Sequence, residues 1–120
     1  MTRKWALTKR AQYLTVYRLG QAWGDSVIQI RALPNGLGGS RCGFSVTRSV
    51  GKAVIRNRVR RLLKEIVRLA RVKAGWDVVF VARPSVVTAD YHELKQSVDT
   101  LLARAHLLRD EDEMVDTRVD

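Results

Sequence analysis

A chain of 120 residues, 46% of them hydrophobic, can build one domain with one core, which excludes wholesale disorder. The net charge of +10 is unevenly spread: residues 1–109 hold 21 basic against 6 acidic residues, net +15, and residues 110–120 hold six acids and one base. A small domain with that surplus points to nucleic acid, with an anionic membrane the weaker choice, because no apolar run approaches the roughly 20 residues needed to span a bilayer. The first residues lack an apolar stretch long enough for a signal peptide, and the lone Cys42 excludes an internal disulfide and suits a reducing cytoplasm.

In chain order, Thr8 stands at the cap of a helix running to about residue 19, with Gly20 at the C′ position that glycine favours. Tyr13 and Tyr17 share a face of it, among Lys9, Arg10 and Arg18. Two readings stand side by side: amphipathic core residues, or the edge of a groove where unstacked bases meet aromatic rings, each stack worth about 1–3 kcal/mol. Residues 21–23 read as a short edge strand. Residues 26–33 alternate, with Ile28 and Ile30 on one side and Gln29 and Arg31 on the other. The turn-rich residues 34–40 predict a hairpin loop, and residues 41–48 the return strand, with Phe44 and Val46 opposite Gly43, Ser45 and Thr47. The apolar face needs cover. The polar face, floored by Arg31, Ser45 and Gln29, reads as a shallow trough.

A long helix follows over about residues 51–73, ended by Gly75. Ile55, Val59, Leu62, Leu63, Ile66 and Ala70 form one apolar stripe at helical spacing. Arg60, Arg61, Lys64, Arg68 and Arg71 lie opposite with Asn57 among them, Arg56 and Arg58 flank the stripe, and Glu65 is the only acid. A solvated helix face usually interleaves signs at i,i+4, whereas Arg60 with Lys64 and Lys64 with Arg68 are like pairs that repel. A polyanion site explains such a face better than solvent does. Residues 77–82 form a continuous apolar run, suited to a strand buried on both faces and stopped by Pro84. Asp90 and Glu93 make a capping pair for a third helix carrying Tyr91, Leu94, Val98, Leu101, Leu102, Ala105 and Leu108. Residues 110–120 are expected to be a disordered acidic tail, with solvation the preferred reading over a fold-back on the basic face. The expected fold is α+β: a single domain over residues 1–109, a two-layer αβββαβα sandwich with helices on one side of a small mixed sheet.

Protein-borne chemistry is hard to assemble from this chain. His92 and His106 lack partners at metal-ligand spacing. Asp77 is the only acid near a turn in mid-chain, and no paired carboxylates of the kind that hold catalytic Mg²⁺ occur before the tail. Gly36, Gly38 and Gly39 lack the Lys-Ser/Thr and helix of a phosphate-binding loop. No catalytic residue and no metal ligand is assigned.

Residues 43–62, GFSVTRSVGKAVIRNRVRRL, closely resemble the signature of the bacterial ribonuclease P protein subunit, centred on the Arg56-Asn57-Arg58 box with Arg60 and Arg61 behind it. Leu7-Thr-Lys, the Tyr13 and Tyr17 pair, the Asp77-Val-Val-Phe-Val-Ala-Arg-Pro segment and the last helix extend the resemblance over about residues 5–108. It implies the small protein partner of a catalytic RNA, the two together removing the 5′ leader of precursor tRNA by endonucleolytic hydrolysis. The Mg²⁺ ions belong chiefly to the RNA and none is assigned to the protein. The resemblance also implies a left-handed βαβ crossover, shared with a ribosomal-protein domain. Separately, the free protein is expected to be monomeric and to have no membrane partner. Carried over by position, Arg56, Asn57, Arg58, Arg60 and Arg61 meet the RNA subunit, with Lys64 and Arg68 as extensions. Tyr13, Tyr17, Arg31, Ser45 and Arg48 line the leader trough. The family commonly has phenylalanine at the two tyrosine positions, and Ser49 sits where a second basic residue is frequent. A structural RNA-binding protein of ribosomal type is the alternative. A protein-only nuclease is a third, against which the missing carboxylate cluster argues.

Overall fold

A computed structural model describes residues 6–108. The elements are α1 (Arg10–Leu19), β1 (Gln21–Gly24), β2 (Ile28–Pro34), β3 (Arg41–Ser45), α2 (Ala53–Ala70), β4 (Trp76–Ala82), a 3-10 turn (Pro84–Thr88) and α3 (Tyr91–Arg104). This is the α+β, mixed-sheet architecture expected from the pattern. The acidic residues 110–120 lie outside the described residues.

The sheet order is β1-β2-β4-β3. β4 pairs antiparallel with β2 and parallel with β3. Residues 34–40 are therefore not a hairpin loop, because β2 and β3 are not neighbours. The cause is the apolar run of β4: Val78, Val79 and Phe80 are all fully buried, and a strand apolar on both faces needs the centre of the sheet. β3 is left at the edge, and α2 makes the crossover between the parallel strands. The loop after β2 instead crosses the start of β4, where Asn35 N–H donates to the Gly75 carbonyl and Asn35 Nδ2 donates to Asp77 Oδ1. Asp77 also accepts both arms of Arg41, at 2.8 and 2.7 Å. The acid singled out in the sequence thus fastens β3 and the loop to β4.

The helices do not all lie on one side. Ile28, Ile30, Ala32, Phe44, Val78 and Phe80 share a core with α2 and α3. Val79 points the other way, into a smaller cluster with Leu7 and Val16 that Tyr13, Tyr17, Leu33 and Val81 border. That second apolar row needs its own cover, and α1 supplies it. α1 leaves uncovered the neighbouring row of Gln29, Val81 and Ser45, adjacent across β2, β4 and β3.

Helix ends differ from the expectation in three places. The N-cap of α1 is Lys9, not Thr8, since the Gln12 side chain accepts the N–H groups of both Thr8 and Lys9. Gly20 is extended, at φ −81°, not left-handed. Glycine fits there because a Cβ would stand 2.6 Å from the Val16 carbonyl oxygen and 2.7 Å from that of Ala32. α2 stops at Ala70, with Arg71 left-handed at φ 58°, short of Gly75. There Lys73 N–H donates to the Leu107 carbonyl and Val72 bridges antiparallel to Leu108, so contact with the chain after α3 replaces further helix. The α3 cap is as expected: the Asp90 side chain accepts the Glu93 N–H at 2.9 Å.

Candidate nucleic-acid interface

α2 turns its apolar stripe inward. Val59, Leu63 and Ile66 are buried, and Ile55, Leu62 and Ala70 are half-buried. Val67, outside the predicted stripe, is buried too, facing the glycines of the loop before β3. Asn57, Arg58, Arg61, Lys64 and Arg68 are exposed, while Arg56 and Arg60 are half-buried. The box has an internal geometry. Arg60 Nη1 donates to Asn57 Oδ1 at 3.1 Å, and Nη2 reaches toward the Val46 carbonyl at the end of β3, 3.5 Å away. Asn57 and Val46 together hold the Arg60 fork between α2 and the chain just after β3. Arg56 packs closer to the body, and its Nε is buried without a partner among the described residues.

Arg68 is less free than the charge pattern implies. It forms an ion pair with Glu65, at 2.8 Å, and its hydrogen bonds hold that carboxyl below the usual carboxylate range. Both side chains are about half exposed. Pairs of this kind contribute little, so a phosphate can displace Glu65.

Between α2 and the edge of β3 lies a groove of about 550 Å³. Arg60, Arg61, Lys64 and Arg68 form its cationic wall, and Leu7, Tyr13 and Phe44 its apolar side. Tyr13 thus lies between the two predicted sites. Its hydroxyl donates to the Leu7 carbonyl and accepts the Phe44 N–H, each at 3.2 Å, closing the open edge of β3. Its ring lies over Gly43, where a Cβ would come within 2.6 Å of the hydroxyl. The hydroxyl is therefore structural.

On the reverse face, Tyr17, Arg31 and Ser45 come together around the uncovered row. The Arg31 guanidinium sits 5.2 Å from the Tyr17 ring centroid, donates to the Tyr17 carbonyl at 3.2 Å and is held by Gln29 Oε1. Ser45 is half-buried beside Val81, and Arg48 is exposed in the turn after β3. Two residues of this trough escaped the sequence reading. Val81 forms the middle of the floor. Arg83 continues the same face and lies so close to Gly24 that a Cβ there would be 2.8 Å from its Nη2. Counting by twos from Val79 reaches both. Arg41, by contrast, is engaged with Asp77.

Among the described residues no group of three or more His, Cys, Asp or Glu is placed to hold a metal ion, and no helix is long and apolar enough to cross a membrane.

These surfaces define a class: a small α+β fold with a cationic helix bridging its parallel strands and an aromatic-rimmed polar trough behind, surfaces whose charge suits a polyanion. The chain belongs to the ribonuclease P protein family, whose pattern, Ribonuclease P, it matches over residues 1–106. It is 41% identical to the ribonuclease P protein component of Caldanaerobacter subterraneus subsp. tengcongensis over 108 residues, 88% of this chain and 93% of that protein. It is 40% identical to that of Dehalococcoides mccartyi strain CBDB1 over 114 residues, 95% of each. The ribonuclease P protein of Thermotoga maritima superposes with a TM-score of 0.76 at 27% identity, covering 82% of this chain and 96% of that one. The Staphylococcus aureus protein shares the fold, with a TM-score of 0.79 at 21% identity over 88% and 98% of the two chains.

Proposed function

We propose that this chain is the protein partner of a catalytic ribonuclease P RNA and assists removal of the 5′ leader from precursor tRNA in the cytoplasm. The observation that carries the reading is the Arg-Asn-Arg box, in a chain of this family, set on a helix face whose cations have few internal partners. Arg56, Asn57, Arg58, Arg60 and Arg61, with Lys64 and Arg68, meet the RNA subunit. Arginine forks suit this because they clamp two phosphate oxygens at once. Tyr13, Tyr17, Arg31, Ser45 and Arg48 take the single-stranded leader. In the trough, the Tyr17 ring and the Arg31 plane offer stacking surfaces, and Arg31 and Arg83 supply charge for the backbone. No side chain of this protein is given a chemical step. Hydrolysis and its Mg²⁺ ions are assigned to the RNA, and the protein positions the leader and screens phosphate repulsion. The free protein is monomeric.

The test compares precursor with mature tRNA bound to the reconstituted holoenzyme. Tyr17→Ala should weaken precursor binding by about 5- to 150-fold, the worth of one stacked base, and hardly change binding of mature tRNA. Equal losses for both ligands would reduce Tyr17 to a packing residue and remove the leader from this trough.

A further inference from the structure

We propose that the groove between α2 and the edge of β3 receives one unpaired nucleotide of the RNA subunit, its base against Phe44 and its phosphates on Arg60, Arg61 and Lys64, a role that rests on the RNA-binding reading of α2.

Three observations carry it. The first is the relief around the cations. Arg60, Arg61 and Lys64 border two separate hollows: the groove of about 550 Å³, and a smaller one of about 410 Å³ that Val54 and Asn57 complete. The three cations therefore form a ridge. An RNA backbone laid along it leaves a base free to enter one hollow or the other.

The second is the chemistry of the walls. The groove offers Phe44 and Leu7 opposite the cations, whereas the only apolar side chain of the smaller hollow is Val54, which is 79% exposed. A nucleotide has the same two halves as the groove, an anionic phosphate and a flat apolar base. The base must be unpaired. A duplex hides base faces in its stack, and unstacked bases of loops and bulges are the ones that lie on aromatic rings. Glu65, the only acid lining the groove, is engaged by Arg68, so its repulsion of phosphate is offset.

The third is preorganisation. The Phe44 ring stacks on the fully buried Phe80, with 5.6 Å between centroids and 17° between planes. Its backbone N–H donates to the Tyr13 hydroxyl. One side of the ring is thus held by the core, and the half-buried remainder lines the groove. Across from it, Arg60 Nη1 donates to Asn57 Oδ1 at 3.1 Å. Arg61 and Lys64 have no ion pair among the described residues. The ring and the Arg60 fork are set before the nucleotide arrives, which spares part of the ordering cost of binding.

The experiment measures binding of the full chain to a bacterial ribonuclease P RNA over about 50–500 mM salt, with precursor tRNA binding by the holoenzyme measured alongside. Phe44→Leu removes the ring and keeps an apolar side chain over Phe80. It should weaken RNA binding about 5- to 30-fold, the lower part of a stacked base's worth, and leave the slope of log affinity against log salt unchanged. Thr8→Trp, at an exposed position of the lining, fills the groove from its rim. It should cost a similar factor at the same slope, and it decides the question alone should Phe44→Leu not fold. Val54→Ala, in the other hollow, should stay within about twofold of the parent. Parent-like affinity in the groove variants would overturn the proposal. So would a loss from Val54→Ala as large as theirs, or a loss confined to precursor tRNA, which would make the nucleotide part of the leader. The RNA-binding reading of α2 fails on a different result, an unchanged salt slope in the Arg60→Ala, Arg61→Ala double variant.

Discussion

Tyr13→Phe removes one oxygen atom from this protein and isolates one claim: that the hydroxyl is a clasp on the edge of β3. The ring stays, and so does its packing over Gly43. What goes is the acceptor for the Phe44 N–H and the donor to the Leu7 carbonyl. Both bonds are 3.2 Å, at the long end of the useful range, and both are part-buried. Each is worth about 0.5–1 kcal/mol, and water reaching the edge recovers part of the loss. The net cost is about 1 kcal/mol, which for a domain of this size lowers Tm by about 4–8 °C. Urea unfolding followed by circular dichroism and by tryptophan fluorescence measures it, provided the slope m stays constant. Tyr17→Phe is the control. Its hydroxyl makes no hydrogen bond among the described residues, so its effect should stay within about 0.5 kcal/mol. A Tyr13→Phe protein as stable as the parent, or two equally destabilised variants, would refute the clasp.

Further outcomes test other links. Leu63→Ala empties a fully buried position between α2 and the sheet and should cost about 3 kcal/mol in the same urea assay. Arg60→Ala with Arg61→Ala should lower the slope of log affinity for the RNA subunit against log salt by about two, one unit per phosphate contact, and an unchanged slope would detach this face from phosphate. Burial pushes the Cys42 thiol up to about 12. As pH rises from about 9, the unfolded chain ionises this thiol before the folded chain does, so its contribution to stability is lost between about pH 9 and 12. The stability difference between parent and Cys42→Ala should shift across that window, and a constant difference would contradict the burial argument.

Local chemistry made much of this fold legible. The stripe of α2, the Asp90 cap and the run of β4 are all written within a few residues of themselves. What was not legible depends on partners far apart in sequence. Counting apolar residues shows that β4 is buried, but not that it separates β2 from β3. Turn residues between two strands suggest a hairpin whether or not the strands pair. The second small core under α1 was missed because Val79, Leu33 and Val16 come from three elements and only their assembly makes a face. Asp77 looked like an unattached acid because Arg41, its partner, lies 36 residues away. The candidate site divides in the same way. The cations of α2 follow from helical period alone. The Arg60 bond to Asn57 and the grip of Glu65 on Arg68 were both available at i,i+3 spacing. Val81 and Arg83 follow from strand period once β4 is known to be central. The role of the Tyr13 hydroxyl required knowing that β3 is an edge.

The most direct test of the central claim is cleavage of a 5′-extended precursor tRNA at about 2 mM Mg²⁺, a concentration at which backbone repulsion between two RNAs is incompletely screened. Protein alone, a bacterial ribonuclease P RNA alone, and the two together are compared. The account predicts cleavage at the mature 5′ end that is far faster with both than with the RNA alone, and no cleavage by the protein. Cleavage by the protein alone, or no enhancement of the RNA, would contradict it.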